Sequence, residues 1–374
     1  MLWAFVLFGE NAHAQVSSYA FNQSSGTYTA ITGGTVFGTT TSDDQRFVDP
    51  ATPAGGTVLT GVGIPIGFSF TYNGIVFDRL AINNNGWISL GQSSLTPSVD
   101  ITSTSSYTAL SSTATNTPTL LRNRIAGIAR DLGAQAGSEI RVETIGTAPN
   151  RICVVQWTNY KRFGTTGTGD ALNFQIRLFE TSNYVQIMYG ACTFGTTSST
   201  ATHVGLGGTT ATDYNNRTST TSWLATTAGT ANNQGITLSA AVTAPTSGSY
   251  FIWGVQAATP PAPVQAAGTP TCSAGTQLSM TGSPANTDEV WYWQTTATGT
   301  STTEPAATPW DVFANGTYYV RAFNSITNSW SAASSVTVSN FPTATPPPAP
   351  TAAANPACTP GTTISVPAAP MGIV

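Results

Sequence analysis

The sequence predicts an all-β protein, with a large N-terminal β-sandwich or jelly-roll-like unit followed by a smaller sandwich. Charged residues make up only 7% of the 374 residues, against about 25% in a typical soluble domain. Glu, Lys, Arg and Leu, which favour helices, are scarce, and lysine occurs once, at Lys161. Short segments rich in β-branched and aromatic residues recur between turn signals, as expected for strands.

The composition also excludes several classes of function. Twelve Lys and Arg against 16 Asp and Glu give a net charge of −4. No basic patch is available to neutralise phosphates, so nucleic-acid binding is excluded. A content of 40% hydrophobic and 10% aromatic residues is enough to bury cores, which argues against disorder. At about 100–200 residues per domain, the length predicts two or three domains.

The N-terminus predicts a secretory signal peptide over residues 1–14. An apolar run from Met1 to Phe8 precedes Ala12-His13-Ala14, a small-x-small cleavage pattern. No Lys or Arg precedes the run, so we expect the natural chain to start upstream; a buried first strand is the alternative. No other segment approaches 18 consecutive apolar residues, so we expect no membrane span. The predicted location is secreted or at the cell surface.

The first folded unit is predicted over residues 16–256. Asn73-Gly74 signals a hairpin, and Asn83-Asn84-Asn85-Gly86 signals another turn. Thr108–Arg124 is the one segment of this unit for which a short helix remains an alternative. The spacing of the predicted strands is that of a two-sheet sandwich or jelly roll. The predicted strands are Thr57–Leu59, Ile64–Tyr72, Ile75–Ile82, Trp87–Leu90, Arg124–Ala129, Glu139–Ile145, Ile152–Trp157, Asn173–Glu180, Tyr184–Tyr189, His203–Leu206 and Tyr250–Trp253.

Two Pro-rich linkers, over residues 257–263 and 341–350, enclose a second unit over 264–340. Its length and Trp293 inside a strand match an immunoglobulin-like sandwich. The predicted strands are Gln277–Met280, Val290–Gln294, Gly316–Phe323 and Ser334–Val338.

An internal repeat follows the second linker. The stretch 348–366 repeats the pattern of 261–280, and it aligns Cys272 with Cys358. Residues 351–374 are therefore predicted to be the truncated start of a second immunoglobulin-like repeat. We expect them to be poorly packed here, because a strand without partners cannot bury its apolar face.

Two sets of motifs carry a resemblance to known proteins. Trp291-Tyr292-Trp293-Gln294 and Gly316–Ala322 resemble immunoglobulin-like repeats of large secreted and surface proteins of Bacteroidetes, which are often exported by type IX secretion. Asn84–Ser89 and Asn173-Phe174-Gln175, with further matches over roughly 60–210, are similar to the nidogen-like N-terminal modules of the same proteins. The resemblance implies an extracellular binding or scaffolding module without catalytic activity. That repeat family usually carries a second Cys where Ser329 stands, so its disulfide to Cys272 is not expected.

Four cysteines behind a signal peptide indicate structural roles. Cys153 and Cys192 lie in the first unit and are the candidate disulfide, with two unpaired core thiols as the alternative. Cys272 and Cys358 lie in different repeats, so we do not expect them to pair with each other. No CxxC motif is present, which disfavours zinc.

Catalysis finds little support in the sequence, and we predict no enzymatic activity. After removal of the signal peptide His203 is the one histidine, and it lies in a predicted strand. No GxSxG or HExxH motif occurs. Glu139 and Glu143 share a strand face with Arg141 between them, which favours a solvated face over a carboxylate pair of the glycosidase type. Gly164, Gly167 and Gly169 indicate a β-connection rather than a phosphate loop.

Acidic residues leave calcium as the one candidate cofactor. Asp131 ends an apolar strand, and Asp43-Asp44 with Asp49 forms a second acidic group in a loop. Carboxylate oxygens are the ligands that calcium prefers. Neither group follows the DxDxDG pattern, so structural roles remain the alternative.

Aromatic side chains exposed on a sandwich could stack on sugar rings. Tyr160 and Trp223 lie in polar stretches, and with Tyr214 they are the candidate ligand contacts. Trp87 and Trp157 lie in apolar strands and are assigned to the core.

The predicted function is a secreted or cell-surface adhesin or scaffold module of a larger protein. The alternative is the carbohydrate-binding region of a secreted enzyme whose catalytic domain lies outside this fragment. Expected partners are an extracellular glycan, a protein ligand or a second copy of the chain. Because lysines are nearly absent, we expect strand edges to be protected by proline, short strands or neighbouring domains.

Overall fold

The computed structural model describes residues 15–38, 41–101, 108–111, 123–255, 259–266, 275–284, 288–341, 351–352 and 364–365. They fall into two compact units, one of Met1–Ala257 with Asn324–Ser329 and one of Ala258–Phe323 with Trp330–Val374. The predicted signal peptide and residues 342–350 of the second linker lie outside the described residues, as do Cys272, Cys358 and most of the Thr108–Arg124 segment.

Strands account for nearly all regular structure in the described part of the first unit. Two short 3-10 turns, Val16–Ser18 and Gly164–Gly167, are its helical elements there. The strands are β1 (Ala20–Ser25), β2 (Thr35–Phe37), β3 (Arg46–Phe47), β4 (Thr60–Gly61), β5 (Ile64–Tyr72), β6 (Ile75–Asn83), β7 (Trp87–Gly91), β8 (Val99–Asp100), β9 (Arg124–Ala129), β10 (Leu132–Gly133), β11 (Glu139–Ile145), β12 (Ile152–Arg162), β13 (Leu172–Phe179), β14 (Val185–Tyr189), β15 (Thr200–Gly207), β16 (Tyr214–Thr218), β17 (Thr227–Ala228), β18 (Ile236–Leu238) and β19 (Ser249–Gly254).

These strands form two large antiparallel sheets. The first sheet has the order β1-β19-β14-β13-β12-β11-β2, with β10 paired to β12. The second has the order β17-β16-β15-β9-β7-β6-β3, with β18 on β15 and β5 on β6. A short β4-β8 pair lies beside them. The all-β prediction is confirmed, as is a sandwich-type architecture.

The core of the first unit lies between the two large sheets. At one point a glycine allows the sheets to approach each other closely. Phe174 on β13 stacks on Trp157 of β12, with ring centres 4.8 Å apart and planes 8° apart. Gly127 on β9 faces the Phe174 ring, and a Cβ at this glycine would lie 2.6 Å from it. Only a residue without a side chain allows this approach. The core prediction for Trp87 and Trp157 is confirmed, because both are fully buried.

Side chains protect the exposed edge of β5, which pairs only with β6 among the described strands. Thr144 Oγ1 donates to the carbonyl of Ile66, and Arg151 Nη1 donates to that of Gly67, each at 2.7 Å. Asn183 Oδ1 accepts the N–H of Thr71 at 2.7 Å. Polar side chains thus occupy backbone groups that another chain would need for strand addition.

The predicted Cys153–Cys192 disulfide is wrong, because both thiols are free. Cys153 on β12 lies opposite Leu178, whereas the sulfur of Cys192 donates to the carbonyl of Asn173 at 3.3 Å. Asn173 and Leu178 lie towards opposite ends of β13, roughly 17 Å apart at about 3.4 Å per residue. A disulfide requires Cα atoms within about 7 Å. Burial raises the pKa of each thiol to about 12.

The second unit is a smaller pair of sheets. Its strands are β20 (Val264–Gln265), β21 (Thr276–Ser279), β22 (Glu289–Gln294), β23 (Trp310–Val312), β24 (Gly316–Asn324), β25 (Ser329–Trp330) and β26 (Ser334–Val338). One sheet is β20-β21-β23, and the other is β22-β24-β25 with β26 on β24. Trp293 is buried in its core beside Leu278 and Val320. Two further strands, β27 (Thr351–Ala352) and β28 (Ile364–Ser365), pair with each other. The immunoglobulin-like assignment stays a prediction.

Candidate cation site and adjacent cavity

Three carboxylates that lie far apart in the sequence meet in the first unit. Asp43, Asp44 and Asp131 each present an oxygen, and these oxygens all lie within 4.8 Å of one another. An isolated antiparallel bridge joins Asp43 to Gly133, so the loop before β3 runs alongside β10. Asp131 directly precedes β10. The two acidic groups that the sequence offered as separate candidates therefore form one cluster, and Asp49 is not among its members.

The Asn83–Gly86 turn supports this cluster. Asn85 donates from Nδ2 to Asp44 Oδ1 at 2.9 Å, and its Oδ1 accepts the N–H of Leu132 at 2.7 Å. One amide thus ties the loop that carries Asp44 to the segment that follows Asp131. Gly86 has φ of +84°, and a Cβ there would lie 2.0 Å from the carbonyl oxygen of Ile128. The turn needs glycine for both reasons.

Like charge makes the cluster costly to ionise. Burial raises the pKa of Asp43 above its ordinary value, and the neighbouring Asp44 and Asp131 raise it further. Burial and Asp44 also raise the pKa of Asp131, and Arg130 opposes this rise. A bound cation would lower the free energy of the ionised cluster.

Two buried oxygens at this place have no hydrogen-bond donor. They are Asp43 Oδ1 and Asn84 Oδ1. Asn84 is fully buried, and its Nδ2 donates to the carbonyl of Leu132 at 2.8 Å. Buried polar atoms are nearly always partnered in proteins, so an acceptor without a donor marks a place where a cation or a donor fits.

A cavity of about 450 Å³ adjoins the cluster through Asp43. Lys161 also faces it, and no ion pair involving this lysine occurs among the described residues. The Phe163 side chain is 49% exposed at the same cavity. The remaining lining residues are small or carry hydroxyls: Thr41, Ser42, Gly133, Ala134, Gly164, Thr165 and Thr168.

A buried ion pair holds one wall of the cavity. Arg162 Nε donates to Asp170 Oδ2 at 2.7 Å, and both side chains are almost completely buried. Asp170 Oδ1 also accepts the N–H of Gly195 at 2.7 Å, and Arg162 Nη1 donates to the carbonyl of Leu238 at 3.1 Å. These bonds fix both ends of the glycine-rich loop 163–169. The loop connects β12 to β13, as predicted, and contains the short 3-10 turn Gly164–Gly167.

For two of the three candidate stacking residues, the prediction of an exposed ligand contact is wrong. Tyr160 and Trp223 are fully buried. Trp223 packs against Tyr189 and Phe194 at ring distances of 5.7 and 5.4 Å. The polar sequence around Trp223 forms surface turns and does not reflect the surroundings of the indole. Tyr214 is half-buried at the start of β16.

The candidate catalytic groups are held in structural contacts. Glu139 accepts from Arg141 Nε at 2.6 Å, and Glu143 Oε2 accepts the N–H of Gly33 at 3.1 Å. His203 is buried on β15, and its Nδ1 accepts the N–H of Leu110 at 3.1 Å. Desolvation lowers the pKa of His203 to about 4.

Sequence reasoning missed the residues that complete the site. Asn84 and Asn85 were assigned to a turn, although a run of three asparagines buried beside acidic segments is also a source of oxygen ligands. Lys161 was noted only for being the single lysine, and Phe163 was not considered. Nothing local in the sequence places these residues together, because β10 and β12 bring them to one cavity by pairing.

The NIDO-related family matches residues 18–255, which is more than half of the chain, and the chain belongs to this family. A NIDO-related domain is an extracellular and non-catalytic type of module. Comparisons with curated proteins and with solved structures returned no match. Among the described residues, no helix is long and apolar enough to span a membrane.

Proposed function

We propose that this chain is a non-catalytic adhesion or scaffolding module, secreted or displayed at the cell surface as part of a larger protein. The observation that carries the proposal is the engagement of each candidate catalytic group in a structural contact. His203 is buried and accepts a backbone N–H, and Glu139 forms an ion pair with Arg141. Glu143 accepts the backbone N–H of Gly33. A general acid or base has to reach substrate in a cleft, and these three groups do not line the cavity.

The family assignment supports the same function. A NIDO-related domain is an extracellular type of module, and low charge with many hydroxyl side chains suits an exposed sheet surface. We propose a protein ligand or a second copy of the chain as the partner.

The test is binding of the full chain to extracellular-matrix proteins and to itself, each with a parallel assay for hydrolysis of glycans, esters and peptides. We expect saturable binding to a protein or self-association in sedimentation, with no turnover. Turnover that is lost in Glu139→Gln or Glu143→Gln would overturn the proposal. The absence of binding to every protein tested, including a second copy of the chain, would also overturn the proposal.

One observation favours glycan binding as a second candidate, at a place other than the predicted aromatics. The cavity combines the half-exposed ring of Phe163 with Lys161, Asp43 and several hydroxyls. A ring for stacking and a few polar groups for orientation are the usual elements of a small-ligand site, and the volume is in the usual range of about 300–1,000 Å³.

A glycan array with the full chain tests this candidate. We expect Phe163→Ala to abolish any specific glycan signal. Phe313→Ala is the matched control, because Phe313 is 56% exposed in the second unit and does not line the cavity. An equal loss of the glycan signal in both variants, or an unchanged glycan signal in Phe163→Ala, would refute binding in this cavity.

A further inference from the structure

We propose that Asp43, Asp44 and Asp131 bind one calcium ion, with Asn84 Oδ1 as a further oxygen ligand. This inference goes beyond the adhesion or scaffolding function and does not depend on it. It is carried by the geometry of the carboxylates and, independently, by a buried amide oxygen that has no donor.

The donor set selects a hard cation. Three carboxylate oxygens and one amide oxygen are available, and neither His nor Cys belongs to the cluster. Calcium binds oxygens at about 2.3–2.6 Å, so two ligands on opposite sides of the ion lie at most about 5 Å apart. The 4.8 Å limit on the carboxylate oxygens fits this span. Magnesium demands near-ideal octahedral geometry and usually keeps several waters, whereas calcium tolerates an irregular set of oxygen ligands.

Asn84 is the second observation. Its N–H donates to the carbonyl of Gln45 at 3.1 Å, and its Nδ2 donates to the carbonyl of Leu132 at 2.8 Å. Asn84 therefore lies between the residue after Asp44 and the residue after Asp131. Turning the amide over would set two carbonyl oxygens against each other, so Oδ1 is fixed as the end without a donor. This oxygen belongs to a residue that hydrogen-bonds to both segments that supply the carboxylates, and on that ground we assign it as the further ligand.

Neighbouring contacts organise the cluster for an ion. Asn85 Nδ2 donates to Asp44 Oδ1 at 2.9 Å and so orients this carboxylate. Asp43 Oδ1 is buried without a hydrogen-bond donor. Amides and carboxylates that orient metal ligands in this way are the usual outer shell of a metal site.

A bound ion would join three separate segments: the loop that precedes β3, the Asn83–Gly86 turn and the start of β10. Asp43 and Gly133 from two of these segments also line the cavity. We therefore expect calcium to stiffen the cavity wall and to raise the thermal midpoint of the first unit.

Terbium luminescence on the full chain tests the proposal directly. Trp157 Nε1 donates to the carbonyl of Asn84 at 3.2 Å, so the indole lies next to a proposed ligand and can sensitise Tb³⁺. In chelator-treated buffer we expect Tb³⁺ emission on tryptophan excitation to saturate at one ion per chain. Added Ca²⁺ should displace it, and Ca²⁺ alone should raise the thermal midpoint relative to EDTA.

Asp→Asn variants of similar size and shape show which carboxylates bind the ion. We expect Asp44→Asn and Asp131→Asn each to weaken Tb³⁺ and Ca²⁺ binding at least tenfold. Asp49→Asn is the matched control, because Asp49 belongs to the same acidic stretch but is not a member of the cluster, and its carboxylate accepts the N–H of Ala51. In EDTA, Asp131→Asn should be at least as stable as the natural protein, since it removes like charge from the cluster.

Three results would overturn the proposal. They are the absence of a Ca²⁺-dependent rise in the thermal midpoint at millimolar Ca²⁺, Tb³⁺ emission that both cluster variants retain, and an equal loss of emission in Asp49→Asn. If Asp131→Asn does not fold, Asp44→Asn decides, because Asp44 is exposed at the surface of the cluster.

Discussion

Replacement of His203 by glutamine is expected to remove a large part of the acid sensitivity of this fold. His203 lies on β15 with 4% of its surface exposed, and Nδ1 accepts the N–H of Leu110 at 3.1 Å. Protonation at Nδ1 would break this bond and leave a cation in the core. A glutamine can still accept a hydrogen bond through its amide oxygen, but it cannot take up a proton.

The magnitude follows from the two pKa values. Desolvation is the largest cause that lowers the pKa of His203, from 6.5 to about 4, and a hydrogen bond to the backbone of Asn233 opposes it. Between these pH values the unfolded chain binds a proton that the folded chain does not. The free energy of unfolding therefore falls as the pH falls from 6.5 to about 4, by about 1.4 kcal/mol per pH unit and about 3 kcal/mol in all. Below pH 4 this contribution is constant.

The assay is urea unfolding between pH 7.5 and 4, followed by tryptophan fluorescence and fitted as two transitions because the chain has two units. The difference in unfolding free energy between the natural protein and His203→Gln should change by about 3 kcal/mol across this range. Carboxylates titrate equally in both proteins and cancel in the difference. A difference that does not vary with pH would refute the reasoning, as would an NMR titration of His203 with a pKa near 6.5.

Four further predictions concern a buried ion pair, two glycines and a buried thiol. Asp170→Asn should lower the free energy of unfolding by about 3–5 kcal/mol, measured by urea unfolding, because it leaves the buried Arg162 guanidinium without its carboxylate. Gly164→Ala should lower it by about 1–2 kcal/mol, since φ is +66° and the space around it is open. Gly86→Ala should lower it much more, because the added carbon would meet a carbonyl oxygen at 2.0 Å; equal losses in the two glycine variants would contradict this. The Cys153 thiol, with its pKa raised to about 12, should resist iodoacetamide in the folded protein and react after unfolding, as read by mass spectrometry; a missing free thiol after unfolding would contradict the unpaired state.

Ten of the nineteen strands described in the first unit were predicted from local pattern, whereas β1 and β16 were missed. The predicted strand Thr57–Leu59 is wrong, because these residues form a bend and loop before β4. The alternation in Ile64–Tyr72 matches the burial of β5 residue by residue, and Asn73-Gly74 is the hairpin between β5 and β6. Short strands such as β2 and β10 were not predicted, because two or three residues carry no periodicity. Their positions depend on the longer strands with which they pair.

The candidate site was predicted only in part. The sequence singles out Asp131 at the end of a strand and Asp43-Asp44 in a loop as two separate acidic groups, and their meeting depends on the bridge between Asp43 and Gly133. Tyr160 and Trp223 were judged from polar neighbours in the sequence, whereas burial is decided by neighbours in space. Trp223 is enclosed by aromatic rings from other segments.

The sequence by itself determined the all-β class, because composition and the spacing of apolar residues act through local backbone preference and the two-residue period of a strand. It also determined the turns, since asparagine and glycine tolerate positive φ. Only the tertiary structure decided which side chains share a site and which cysteines stay apart. Those outcomes depend on which strands pair and in which register, and pairing between distant segments is set by burial of the whole core rather than by any local pattern.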